Sequence, residues 1–253
     1  MKKYLVIKIL LINLFSLAED SSAQSELSIF SRWDKTDKLI RDRKIDEDSA
    51  IDSLRMYVSN AVQHCKILDT EFTKRKDWVF PMSGWTKVSY RNNGRDYKDK
   101  DFDYFQGGEF KGHPAHDIFI LDKDSNGVED STLRPVEAAA MVTGVIISVH
   151  TGWKRGDFLR SGNYVKLFDP ESESIFYYSH LDSILVSVGQ MVAAGETIGY
   201  IGRTGRKAIH GRTHLHIAYY KINDGYPEPE DIIMDLYRAE KRTSPQPSPK
   251  ERE

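Results

Sequence analysis

From Trp78 onward the chain changes texture, and that change bounds its fold more tightly than any other feature. Gly, aromatic and β-branched residues become frequent and helical periodicity disappears. Short apolar runs follow one another between turn signals: Met141 to Val149, Gly162 to Phe168, Ile175 to Tyr178, Ile184 to Val188, Thr197 to Ile201 and Leu215 to Tyr220. Runs of this length and spacing predict many short strands, hence a compact, antiparallel, mainly β domain over residues 78–237. Upstream, Gln24 to Thr73 is charged and lacks Gly and Pro. Ile51, Leu54, Val58, Ala61, Val62 and Cys65 recur there at helical spacing, and Ser49 with Asp52 reads as a capping box. A small helical accessory region over residues 24–77 is therefore expected to pack on the β domain.

The ends read differently. Lys2 and Lys3 precede a mostly apolar run to Ala18 and then Ser21-Ser22-Ala23, the pattern of a signal peptide over residues 1–23, so the chain is expected to be exported to the periplasm or secreted. The single cysteine, Cys65, lies far from that cleavage site, which excludes lipidation there and any intramolecular disulfide. On the apolar helix face it reads as a small buried hydrophobe. From Arg238 the sequence turns charged and then Ser/Pro-rich, a disordered tail over 238–253. A formal charge of −2, without a basic stripe carrying interleaved aromatics, gives no footprint for nucleic acid. No stable membrane insertion is expected once the signal is removed. Asn92 to Gly112 is polar and aromatic and reads as a long surface loop.

The chemistry lies in the histidines. Thr213 to Tyr220 reads as a strand entered from a glycine-punctuated turn, so His214 and His216 share one face and Leu215 and Ile217 the other. An isolated His-x-His is more often the mark of an exposed edge strand. Here, however, seven of the eight histidines (113, 116, 150, 180, 210, 214 and 216) fall in the segment ending at His216, with His64 outside it. His113 and Asp117 are four apart, and Pro114 between them argues for a loop running into a strand. An imidazole and a carboxylate are both good zinc ligands. With one histidine of the 214/216 pair they would make three, leaving the open position of a catalytic site. His180 ends an aromatic run, and in a cleft beside zinc a neutral imidazole suits a general base or an oxyanion donor.

Taken together, His113-x-x-x-Asp117-Ile118, Val136-Glu-Ala-Ala with Thr143-Gly144-Val145-Ile146, Gly162-Asn-Tyr-Val-Lys-Leu, Tyr178-Ser-His180-Leu181, the run from Val188 to Gly199, Thr204-Gly205 and His214-Leu-His216 resemble the lysostaphin-type, LytM-like zinc metalloendopeptidases. That resemblance implies an antiparallel β fold with Zn2+ at the floor of an elongated groove. It also implies His113, Asp117 and His216 as zinc ligands and His180 and His214 as uncoordinated catalytic histidines. The implied activity is hydrolysis of peptidoglycan peptides, at a cross-link or within a stem peptide. The alternative is a non-catalytic or autoinhibited module that binds the wall or activates other wall hydrolases; retention of all five site residues argues against a degenerate copy. The N-terminal helices or the 92–112 loop could occupy the groove, and inhibition by the helices would make truncation before Trp78 raise activity.

Two departures from the family pattern stand out. Pro114-Ala115-His116 replaces the usual glycine between the first ligands, and His116, adjacent to Asp117 in an extended chain, is expected to point away from it. The loop after Ile120 is enlarged. Its Asp122-Lys-Asp124-Ser-Asn126-Gly127 copies the first half of a calcium loop, but Leu133 stands where the bidentate Glu belongs, so an ordinary turn is the expected reading.

Overall fold

The computed structural model describes residues 29–68, 70–109 and 112–243. The expected signal peptide and residues 244–253 of the expected tail lie outside the described residues. Helix α1 covers residues 29–41 and α2 covers Glu47–Ile67. The helix start differs from the capping box read around Ser49. Asp46 is the N-cap, and its carboxylate accepts the Ser49 amide at 2.9 Å, so Ser49 lies inside the first turn. The face of α2 lined by Ala50, Leu54, Tyr57, Val58, Ala61 and Cys65 is buried. Burial pushes the Cys65 thiol up to about 11, which keeps it an unreactive core residue.

The β domain has strands β1 (Met82–Ser83), β2 (Val88–Tyr90), β3 (His116–Ile120), β4 (Glu137–Ala139), β5 (Gly144–His150), β6 (Asn163–Asp169), β7 (Ser174–Leu181), β8 (Ser183–Ile184), β9 (Met191–Val192), β10 (Thr197–Tyr200), β11 (His214–Asn223) and β12 (Tyr226–Pro229). They form two antiparallel sheets. The larger has the order β2-β3-β11-β7-β6-β5-β9, with β12 added on β11; the smaller is β1-β4-β10-β8. Of the apolar run Ile184 to Val188, only Ile184 enters a strand.

Alternation along the large sheet divides its residues between two cores. Leu215, Ile217 and Tyr219 of β11, with Phe176 and Tyr178 of β7 and Val165 and Leu167 of β6, face the smaller sheet and close the main core. Ala218, Tyr220 and Ile222, with Ile175 and Phe168, face the other way and are covered by Trp33, Leu54 and Tyr57 of the helices and by Tyr104. The accessory helices thus sit on the same sheet face that carries His214 and His216, further along the strands. Helix α1 docks through one stripe of polar residues. Asp34 accepts the Ser148 hydroxyl at 2.9 Å and the Val149 amide at 3.2 Å, the buried Asp37 pairs with the part-buried Lys166 ammonium, and Arg41 donates to the Tyr164 hydroxyl at 3.3 Å. The Lys166 ammonium lies over the rings of Tyr104 and Tyr177 at 4.9 and 5.2 Å.

Two further expectations are corrected. The 92–112 segment is not simply a surface loop, because Asp96 and Tyr104 are buried in it. The charged stretch from Arg238 is helical: α3 spans Ile233–Thr243, anchored by the buried Leu236 and Ala239 and by Tyr90, which donates to Glu240 at 2.7 Å. Among the described residues, no helix is long and apolar enough to cross a membrane.

One carboxyl at the end of β6 makes stability depend on pH. Burial of Asp169 raises it from its ordinary 3.8 to about 6, against the hydrogen bonds it accepts from Ser172 and Glu171. A raised acid stabilises the fold fully below its unfolded value and loses that contribution as pH climbs through the folded one. Thermal unfolding should therefore show about 3 kcal/mol less stability above pH 6 than below pH 4 from this group, and Asp169→Asn should flatten that part of the profile.

Candidate metal centre and active site

Strand pairing brings the first two groups together. His216 of β11 is directly opposite Asp117 of β3, and His214 is opposite Phe119, so the carboxylate and both imidazoles emerge on one face. His216 Nδ1 lies 2.9 Å from Asp117 Oδ1. His113, in the turn before β3, brings its Nε2 to 3.1 Å from the same oxygen, and the two rings meet edge to face at 4.9 Å. Among the described residues, His113, Asp117 and His216 offer ligand atoms all within 4.8 Å of one another.

His180 arrives by a different route. Strict alternation after Tyr178 would turn it into the main core. Instead the register slips between Asn163↔Leu181 and Tyr164↔Ser179, leaving His180 as the extra residue of a bulge with φ of +66°. Such a left-handed residue in a strand is uncommon outside glycine and re-aims its side chain. The ring centroids of His180 and His214 end 4.8 Å apart, and those of His180 and His216 5.5 Å apart. Gly205 makes room for this: with φ of +116°, it lies where a Cβ would meet the Arg160 carbonyl at 2.3 Å and His180 Nδ1 at 3.0 Å.

The tautomers follow from the partners. His113 Nδ1 faces the Asp96 carbonyl at 3.1 Å, His180 Nδ1 the Thr204 carbonyl at 2.8 Å and His214 Nδ1 the Arg212 carbonyl at 2.7 Å. A carbonyl only accepts, so in each ring Nδ1 carries the proton and Nε2 keeps a lone pair in the neutral form. Burial and the neighbouring histidines hold His180 well below its ordinary value, which keeps it neutral. Burial also lowers His216, whereas at His113 burial is outweighed by the hydrogen bond to Asp117 and by its charge. Asp117 is driven far below the usual carboxylate range, because its hydrogen bonds to His113 and His216 overcome the opposing effect of burial.

Other residues complete the surround, and sequence reasoning did not single them out. Arg91 Nη1 donates to Asp117 Oδ2 at 3.0 Å, leaving Oδ1 to face the histidines. Asp96 accepts the Asp117 amide at 2.9 Å through one carboxylate oxygen, and its other oxygen lies 3.0 Å from His116 Nδ1. His116 does point away from Asp117, as expected, and its Nε2 meets Asp231 at 3.0 Å. His150 packs on Tyr164, and His210 is exposed on the loop before β11; neither enters the cluster. A second acidic group, Asp122, Asp124 and Asp130, lies in the enlarged loop. There Asp122 accepts the Asn126 and Gly127 amides and the Thr213 hydroxyl, and so closes the turn from within.

Residues 125–229 match the model of peptidase family M23. Over this stretch the chain is similar to peptidase family M23. The matched stretch includes His180, His214 and His216, while His113 and Asp117 lie before it. No curated protein matches the sequence. Among solved structures, a candidate glycyl-glycine endopeptidase LytM from Ruminococcus gnavus is similar at 23% identity and a TM-score of 0.48, over 66% of this chain and 61% of its own. This chain thus spans about three fifths of that protein's length. The lysostaphin catalytic domain from Staphylococcus simulans is similar at 25% identity and a TM-score of 0.36, over 50% of this chain and 80% of its own. A zinc-containing peptidase from Vibrio cholerae is similar at 20% identity and a TM-score of 0.34, over 60% of this chain and 38% of its own.

Proposed function

We propose that this domain is a zinc-dependent endopeptidase acting on peptide bonds of bacterial peptidoglycan outside the cytoplasm. The observation that carries the reading is the convergence of His113, Asp117 and His216 beside two further imidazoles whose Nε2 lone pairs are set by main-chain carbonyls. Two imidazoles and one carboxylate are a donor set that suits zinc and leaves a coordination position open. These residues would hold the ion, with His113 fixed from behind by the Asp96 carbonyl and Asp117 by Arg91. When bound there, zinc supplies a Lewis acid that acidifies water towards about neutral pH and polarises a carbonyl.

The chain's own groups do the rest. In the neutral form, His180 and His214 each present an acceptor at Nε2 and are oriented by Nδ1–H. One takes the proton released as water attacks the scissile carbonyl and delivers it to the leaving amine; the other, when it carries a second proton taken from solvent, hydrogen-bonds the developing oxyanion. The substrate, a peptide of the wall, is the one that the resemblance to LytM-like endopeptidases implies, and the match to a peptidase family supports the cleavage of a peptide. The test is digestion of purified peptidoglycan followed by mass spectrometry of the products. New amino termini within the peptides, lost on chelation and restored by zinc, are expected; an unchanged peptide population would rule the activity out.

Asp96 provides a second test, by metal affinity. Asp96→Ala removes the acceptor of the Asp117 amide and the partner of His116 and should weaken zinc binding about 10- to 100-fold in a competition titration. Asp96→Asn keeps an acceptor oxygen and should retain most of the affinity.

A further inference from the structure

Two loops border the histidine cluster, and their charge is not used by the chemistry above. The first runs from residue 151 to 162 between β5 and β6, and the second from 201 to 213 between β10 and β11. Both touch the site through their backbones. Ser161 accepts the His180 amide, Thr204 and Arg212 accept the Nδ1–H groups of His180 and His214, and Gly202 accepts the His214 amide. The loops are also joined to each other, because the Arg206 amide donates to the Leu159 carbonyl at 3.1 Å and the Thr204 hydroxyl accepts the Asn163 amide at 2.9 Å.

The first loop carries Lys154, Arg155 and Arg160, and the second Arg203, Arg206, Lys207 and Arg212. All but Arg203 are exposed, and among the described residues Lys154, Arg155, Arg203, Arg206, Lys207 and Arg212 form no ion pair. Two are propped by aromatic rings: the Arg206 guanidinium lies 5.3 Å from the Phe158 centroid, and that of Arg212 lies 4.4 Å from the Phe119 centroid. Phe119 is in turn 5.4 Å from the His214 ring. Against them stand Asp157, whose carboxylate accepts the Lys154 amide, Asp182 beside Gly202, and Asp122, which accepts the Thr213 hydroxyl and lies with Asp124 and Asp130. In a chain whose net charge is −2, so many unpaired cations held against two histidines make a local positive field that a neutral substrate would not use.

Helix α1 and Tyr104 cover the same sheet face from Lys166 onward, which leaves His180 and His214 at the end that these loops border. We propose that the two loops form a cationic rim that selects peptides bearing free carboxylates close to the scissile bond, rather than an uncharged glycine bridge. The inference rests on the reading of the site as a peptidoglycan peptidase. Carboxylates of the substrate meet Arg206, Lys207 and Arg212 in ion pairs at the mouth of the site, and their attraction weakens with salt.

The experiment uses the full zinc-loaded chain and one peptidoglycan preparation freed of phosphate polymers, half of it left intact and half with its free peptide carboxylates converted to methylamides. Release of amino termini from the intact half is expected to be faster by about tenfold at low salt, with the advantage shrinking as salt rises. In the double variant Arg206→Gln/Lys207→Gln, checked for an unchanged melting temperature, the ratio between the two halves should fall towards one. Equal cleavage of both halves by the wild-type chain would overturn the rim while leaving the peptidase in place. A preference that survives in the double variant would also overturn it, since the selectivity would then come from elsewhere. Cleavage of neither half would instead count against the peptidase reading itself. A third arm offers a cross-linked pentaglycine peptide; turnover as fast as that of the intact half would contradict the selection.

Discussion

Replacing His216 with alanine is expected to remove zinc and activity together, whereas replacing His214 is expected to remove activity and leave zinc in place. The two residues are neighbours on one face of β11, equally close to the chemistry, and differ in what they face. His216 Nδ1 is 2.9 Å from the Asp117 oxygen that also meets His113, while His214 Nε2 is 3.9 Å from it. Loss of a ligand from a set of three should lower zinc affinity by at least about a hundredfold, more than loss of an outer partner does. Loss of a proton-transfer group should lower kcat by roughly 10²–10⁴-fold with the metal retained. Zinc content by elemental analysis and release of amino termini from peptidoglycan, measured on the same samples, separate the two. Zinc lost from His214→Ala and kept by His216→Ala would reverse the assignment.

Deleting everything before Trp78 is expected to cost the domain its fold rather than to raise its activity. The sequence permits the reading that the N-terminal helices are a removable inhibitor, and the packing speaks against it. Phe168, Ile175, Ala218, Tyr220 and Ile222 of the large sheet form one buried cluster with Trp33, Leu54 and Tyr57 of the helices. Uncovering that face exposes a contiguous apolar patch of the kind that drives aggregation. It also strands Lys166, whose counter-ion Asp37 lies on α1. Breaking a buried pair by removing one partner costs about 3–5 kcal/mol, against a typical total of about 5–15 kcal/mol for a domain. The truncated chain should be insoluble, or soluble without a cooperative melting transition. A truncated chain that melts cooperatively and cleaves peptidoglycan faster than the full chain would restore the inhibitor reading. Asp37→Ala in the full chain is the milder form of the same test and should lower the melting temperature without changing zinc content.

Much of this was legible in the residues, and the remainder has identifiable physical reasons for being hidden. The strands β5, β6, β7 and β11 announce themselves because residues buried on both faces of a sheet leave apolar runs several residues long. His214 and His216 can be placed together because the strand period is two, and their facing Asp117 needs only the pairing of β3 with β11. His180 shows the limit. Its place depends on a bulge and a left-handed backbone, and alternation alone sends it to the wrong face. Asp96 shows another, since one buried carboxylate in a polar, aromatic stretch looks like any loop aspartate until its partners are known. The same stretch reads as surface because its buried groups, Asp96 and Tyr104, are isolated in sequence and have no periodic neighbours. Helix α3 past Arg238 is hidden by charge, because only Leu236 and Ala239 mark its buried side near that end.

The zinc-dependent cleavage of cell-wall peptides proposed for His113, Asp117 and His216 can be tested by stripping the purified chain of metal and adding zinc back in steps while following release of amino termini from peptidoglycan. Activity absent at the start, rising in proportion to added zinc and levelling at one equivalent per chain is the result expected. Cleavage that persists after stripping, or a chain that takes up its equivalent of zinc and releases no amino termini, would contradict the account.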